Sequence, residues 1–229
     1  MKGKSIIIST ICAMLTLASC VISGGKTNAL TSDSKFEAVR VFNNIEVVMT
    51  PGKKVSYEVE GTESAKSKLE IGIDGDALMV RANGLNSTDR LTIHLTAPML
   101  KSIETFNDAG FILNGSVDVG ELKLCAWNSS LISIGQNITA REVEVQAYNN
   151  GRIDIKSIVA DKMRIEAANN AVVNVSGKVN SLTKNVMNGA KVNADSLSDA
   201  WSGQSSNDDS DDTVIVYSED ISLFGRLTD

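Results

Sequence analysis

Asparagine recurs at a near-constant interval through the second half of this chain. Asn107, Asn128, Asn149, Asn169 and Asn188 are separated by 21, 21, 20 and 19 residues. Apolar residues alternate before the Asn positions: Leu122, Leu124 and Ala126, then Val143, Val145 and Ala147, then Met163, Ile165 and Ala167. They alternate again four and six residues after each Asn, as in Phe111 and Leu113, Ile132 and Ile134, or Ile153 and Ile155. A further apolar residue follows at nine or ten: Val117, Ile138, Ile158, Val179 and Leu197. Period-2 alternation nested in a period of about 20 is the signature of a solenoid of stacked β-coils. One coil cannot hide its apolar side chains, but a stack can, with equivalent residues about 4.8 Å apart. The chain is therefore read as all-β, a parallel β-helix with coils over about residues 100–200, preceded by N-terminal strands and hairpins. Lys184 is the exception in the inward column, taking the place of Leu124, Val145 and Ile165.

Each repeated Asn falls at a bend between two strands. A short polar side chain that tolerates bent backbone and can bond the next coil's amide suits that position. The five asparagines are thus expected to form a structural ladder. Small residues next to them, such as Ser129-Ser130 and Asn150-Gly151, agree.

The strands before the coils are legible too. Phe36–Val41, Ile45–Met49 and Val55–Val59 alternate in period two, and Pro51-Gly52 suits a type II turn. Asp74-Gly75-Asp76-Ala77 between Ile71–Ile73 and Leu78–Val80 signals a hairpin. Leu91, Ile93 and Leu95 form a strand stopped by Pro98. No convincing amphipathic helix follows the N-terminal segment.

That segment reads as an address rather than a fold. Lys2 and Lys4 precede an apolar run, Ile6 to Leu17, too short to span a bilayer. It ends in Leu17-Ala18-Ser19-Cys20, which resembles the lipobox of bacterial lipoproteins, in which the Cys is lipidated and becomes the first mature residue. The alternative is an ordinary secretory signal that happens to contain Cys20. Lipidation at Cys20 would tether the domain to a membrane. Val21 and Ile22 follow, not the Asp that holds lipoproteins at the inner membrane, so the outer membrane is the expected home. Residues 1–19 are then the signal and 20–34 a flexible tether. Residues 35–200 are the β domain, and 201–229 an acidic loop with C-terminal strands or a cap.

Loss of residues 1–19 moves the formal charge from −6 to −8, because Lys2 and Lys4 go and no acid goes with them. An acidic domain is a poor match to nucleic acid. Cys12 goes with the signal, leaving Cys125 beside the modified Cys20, so no internal disulfide is expected. Alternation turns Cys125 away from the core. His94 is the single histidine, so zinc and His-dependent triads have no basis. No cofactor or metal is expected. Glu144, Glu166 and Asp154 point outward but are scattered beside Arg or Lys, unlike the paired carboxylates of a glycosidase. Asp208 to Asp212 is read as a solvated acidic loop.

Phe106, Trp127 and Tyr148 each precede a repeated Asn by one residue and alternate outward. Stacking would line them up as a ladder, continued by Ala168 and Met187. Either another part of the chain covers it, or it is an exposed platform for a glycan or protein partner.

The order and spacing of several motifs carry a family resemblance. They are Phe42-Asn43-Asn44-Ile45-Glu46-Val47, Thr50-Pro51-Gly52, Asp74-Gly75-Asp76-Ala77-Leu78, the Leu91–Leu95 strand and Pro98-Met99-Leu100-Lys101-Ser102-Ile103. Over roughly residues 36–200 the chain resembles the head GIN domain of bacterial auto-transporter adhesins. Asn44 stands where that family usually has Gly. The resemblance implies a right-handed parallel β-helix, a place in the cell envelope and an adhesive role, with no catalytic residues. The expected function is non-catalytic binding. The rivals are a β-helical polysaccharide lyase or hydrolase, and a structural or sensory envelope component.

Overall fold

A computed structural model of the chain describes residues 30–85 and 89–197. Cys20, the tether up to residue 29, the acidic run at 208–212 and the C-terminal strands expected after it lie outside the described residues. Residues 30–34 of the expected tether are described, with Leu30 packed on the core and the Val55 amide donating to the Ser32 carbonyl. Thirteen strands form one continuous sheet wound into a parallel β-solenoid. The C-terminal part rises coil on coil: β7 (Ser102–Phe106), β8 (Gly110–Leu113), β9 (Val117–Trp127), β10 (Leu131–Tyr148), β11 (Arg152–Ala168), β12 (Val172–Met187) and β13 (Lys191–Leu197). Each long strand is shared between two coils. The end of β10 lies on the end of β9 in parallel register, with Val143 beside Leu122 and Tyr148 beside Trp127.

Alternation breaks where the wall turns. In β10 the inward residues are Ile132 and Ile134, then Ile138 and Ala140, then Val143, Val145 and Ala147. The gaps between these groups mark corners, giving each coil three short sides around an apolar interior. Stacked Ile, Val and Leu fill that interior, with Ile132, Ile153 and Val173 each 0% exposed in one column. Burying an aliphatic side chain of this kind contributes about 1.5–3 kcal/mol. Lys184 sits in register with Ile165, half-buried in the last described part of β12.

The N-terminal strands do not merely precede the coils; they belong to the stack. β1 (Ala38–Phe42) and β2 (Ile45–Pro51) form a coil seated directly on β7 and β8, with Phe42 beside Phe106 and Val47 beside Phe111. On its other side lie β5 (Ala77–Ala82) and β6 (Leu91–Ala97), again parallel. The coil of β1 and β2 thus lies inside the pile, each of its strands third from an end of the sheet order. β3 (Ser56–Glu60) and β4 (Leu69–Asp74) then pair antiparallel with β6 and β5 and close that edge of the sheet. A single helical turn, α1 (Glu63–Lys66), links them, capped by the Thr62 side chain accepting from the Ala65 amide.

The Asn bends have a common backbone. Two successive residues are left-handed at each one: Asn43 and Asn44, Asn107 and Asp108, Asn128 and Ser129, Asn149 and Asn150, Asn169 and Asn170, Asn188 and Gly189. Asn and Asp enter this region more readily than other side-chain-bearing residues. That accounts for Asn44 at a position the resemblance assigns to Gly.

Candidate functional site

Along the Asn corner the side chains bond one another rather than the amides of the next coil, as the sequence suggested. Asn188 Nδ2 donates to Asn169 Oδ1 at 3.0 Å, Asn169 to Asn149 at 2.8 Å, and Asn149 to Asn128 at 3.0 Å. Asn128 donates to Asn107 at 2.9 Å, and Asn107 to Asn43 at 3.2 Å. The bend amides donate instead to backbone carbonyls of the neighbouring coil, as Asn149 N does to Ala168 O. Asn43, 64 residues from Asn107, is a rung the 20-residue period does not reveal.

One residue before this column runs the aromatic strip. Phe106, Trp127 and Tyr148 are in register and half-buried. Phe42 adds a ring on one side, and Ala168 and Met187 follow on the other. Phe42 stacks on Phe106 with centroids 4.7 Å apart and planes 9° from parallel. Trp127 stacks on Tyr148 at 4.3 Å and 25°. The rings therefore lie across the solenoid axis. One face of each ring meets its pair partner. The Phe-Asn pair at 42–43 repeats the aromatic–Asn pairs at 106–107, 127–128 and 148–149, which is the sequence signal that could have found Phe42.

The polar groups beside the strip are bound to one another. Arg40 pairs with Glu104 at 3.2 Å, and Lys123 with Glu144 at 3.4 Å. Tyr148 Oη donates to Glu166 Oε2 at 2.8 Å, and Arg164 Nε donates to Glu166 Oε1 at 3.1 Å. Burial pushes the Glu166 carboxyl up, but the hydrogen bonds from Arg164 and Tyr148 outweigh it and hold the group below its ordinary value. A general acid needs the opposite shift. Asp154 forms an ion pair with Arg152 at 2.7 Å. His94 lies on the outer face of β6 with its Nε2 3.2 Å from Glu60.

Cys125 points outward by alternation yet is only 3% exposed, between Glu104 and Gln146 in register. Its Sγ donates to Gln146 Oε1 at 3.3 Å. Burial pushes the thiol up to about 12, away from any nucleophilic role at neutral pH. Among the described residues no group of three or more His, Cys, Asp and Glu is placed to hold a metal ion.

Around the corner from the strip, the middle side of the coils, the one of Ile138 and Ala140, carries a groove of about 670 Å³. One wall is the column Asp118, Thr139, Val159 and Lys178, one residue per coil. The other contains Gly120, Arg141, Asp161 and Asn180. Val119, Ala140 and Ala160 line its floor. A second hollow of about 310 Å³, lined by Met99, Lys101, Val119, Gly120 and Glu121, shares Val119 and Gly120 with the first. Sequence reasoning passes over this surface, because a strand glycine and scattered charges carry no pattern of their own.

Known proteins share this construction. The model of the family described as "Putative auto-transporter adhesin, head GIN domain" matches residues 35–201. No curated protein matches the chain. Among solved structures it is similar to a "Putative lipid binding protein" from Parabacteroides distasonis ATCC 8503, at 17% identity and a TM-score of 0.65 over 76% of each chain. A "putative adhesin" from Parabacteroides merdae ATCC 43184 has 17% identity and a TM-score of 0.61, covering 72% of this chain and 73% of that one. Another, from Parabacteroides distasonis ATCC 8503, has 13% identity and a TM-score of 0.62, covering 72% and 74%. At such identities the likeness is one of fold. Among the described residues no helix is long and apolar enough to cross a membrane.

Proposed function

Because the chain belongs to the head GIN domain family of auto-transporter adhesins, we propose that it is a non-catalytic binding protein of the bacterial cell envelope, contacting its partner through the aromatic strip. One observation carries this reading: half-buried rings at Phe42, Phe106, Trp127 and Tyr148 form an unbroken column in register. Rigid aromatics give contact area at low entropic cost.

The stacking selects the kind of partner. Packing a sugar ring on an aromatic uses the ring face, and here one face of each ring meets a neighbouring ring. Stacked rings beside an amide column, exposed at Asn107, Asn128 and Asn188, suit a protein surface better. The lipobox-like Leu17-Ala18-Ser19-Cys20 supports a lipid anchor at Cys20 in the outer membrane, with 20–34 as tether. Glu104, Glu144, Asp154 and Glu166, the carboxylates nearest the strip, each sit in a pair with Arg or Lys, which supports binding over polysaccharide cleavage.

The test is a Trp127→Ala/Tyr148→Ala double variant of the purified domain, assayed on envelope fractions of the source bacterium. Binding should fall to background with the far-UV CD spectrum intact, and protease treatment of the fractions should abolish wild-type binding. Unchanged binding by the variant would sink the reading. A collapsed CD spectrum would make the strip structural, and binding that survives protease would point to a glycan instead. Protease treatment of intact cells, beside a periplasmic control protein, reports which side of the outer membrane the domain faces.

A further inference from the structure

We infer that the groove on the middle side of the solenoid is a second ligand site, for a neutral polysaccharide chain lying along the axis. The inference is independent of the aromatic strip.

The shape comes first. The two hollows meet at Gly120, the one position in its wall without a side chain. Their union runs from the Met99–Lys101 level to Lys178 and Asn180. From Asp118 to Lys178 it crosses three coil spacings, about 14 Å at the separation of neighbouring strands. An elongated trough suits a polymer rather than a compact metabolite.

The chemistry narrows the polymer. Asp118 and Asp161 are balanced by Arg141 and Lys178 in the larger hollow, and Lys101 by Glu121 in the smaller. A polyanion or polycation would meet as much repulsion as attraction. The floor is the face of a sheet whose amides already bond between coils, so an extended peptide finds no edge to join. What the walls offer is a mixture of donors and acceptors. Asp118, Thr139 and Lys178 have no side-chain partner among the described residues, whereas Arg141 reaches Glu121 at 2.6 Å and Asn180 donates to Asp161 at 3.2 Å. Hydroxyl groups both donate and accept, so an uncharged polyol can satisfy the carboxylate, hydroxyl and ammonium of one column. Val159, 52% exposed between Thr139 and Lys178, offers an apolar patch for the C–H face of a sugar.

Gly120 also provides the test. A Cβ built there meets no atom within 4 Å, so a large side chain can enter the groove without disturbing the core. The full domain is titrated calorimetrically with neutral hexasaccharides of glucose, mannose, galactose and N-acetylglucosamine, and with polygalacturonate and polylysine. At least one neutral chain should bind. Gly120→Trp should weaken it by about tenfold or more with an unchanged melting temperature, and Asp118→Ala should weaken it less. Trp127→Ala/Tyr148→Ala should leave it intact, which separates this site from the strip. Should Gly120→Trp unfold, Thr139→Trp takes its place. Failure of every neutral chain, binding of the charged polymers alone, or full binding by the blocked variant would overturn the inference.

Discussion

Each coil turns one corner at its Asn pair and another shortly after, and the two are held differently. At the Asn corner two left-handed residues recur in six coils, and side-chain amides run in one hydrogen-bonded column. At the next corner the register slips. Three residues separate Leu113 from Val117 and Ile134 from Ile138, two separate Ile155 from Ile158, and one separates Val175 from Gly177. The shrinking interval between asparagines, 21, 21, 20 and 19, is produced wholly there. One corner is fixed by what its side chains and dihedrals demand. The other is fixed only by what its flanking strands bury, so its length can drift.

The largest effect should come from breaking the fixed corner by bulk. Gly151 follows the Asn pair, and a Cβ there would lie 2.3 Å from the Ala126 carbonyl oxygen, a backbone atom that cannot swing away. Gly151→Ala should cost about 3 kcal/mol, or roughly 10 °C in melting temperature. Calorimetric melting checks it, and an unchanged midpoint would refute the tight approach.

Next comes conformation against hydrogen bonding. Asn149 has φ 53° and takes part in two amide bonds of the column. Asn149→Val loses both bonds and forces a β-branched residue left-handed, about 2 kcal/mol in all. Asn149→Gly loses the bonds but relieves the dihedral, so it should cost about 1 kcal/mol. Equal losses in chemical denaturation would show that the dihedral counts for nothing.

The smallest effect should be at the drifting corner. Deleting Gln136 leaves two residues between Ile134 and Ile138, the spacing the next coil already has. Stability should change by less than about 1 kcal/mol. A loss comparable to that of Gly151→Ala would erase the distinction between the corners.

What the sequence discloses follows from the same division. The Asn corner is legible because left-handed backbone restricts residue choice and the interior restricts every second neighbour. The Asn43 rung and Phe42 escape notice because β3 to β6 intervene, stretching one interval to 64 residues. Alternation correctly turns Cys125 outward but cannot reveal that its neighbours in adjacent coils cover it. The outward direction of Phe106, Trp127 and Tyr148 is readable, whereas their mutual stacking is a property of rotamers. The groove depends on where two columns stand side by side, and no single coil contains it.

The placing of β1 and β2 between the β5–β6 and β7–β8 coils bears on how the chain assembles. A plain repeat array can grow from any unit to its neighbour in chain order. Here β1 and β2, made before the other described strands, end up flanked on both sides by strands made later. They must wait, partnerless, until β5 and β6 have been laid against one edge and β7 and β8 against the other. Such long-range closures slow folding. Assembly spreads outward in two directions from an interior seam, and removing the first coil would split the solenoid rather than shorten it.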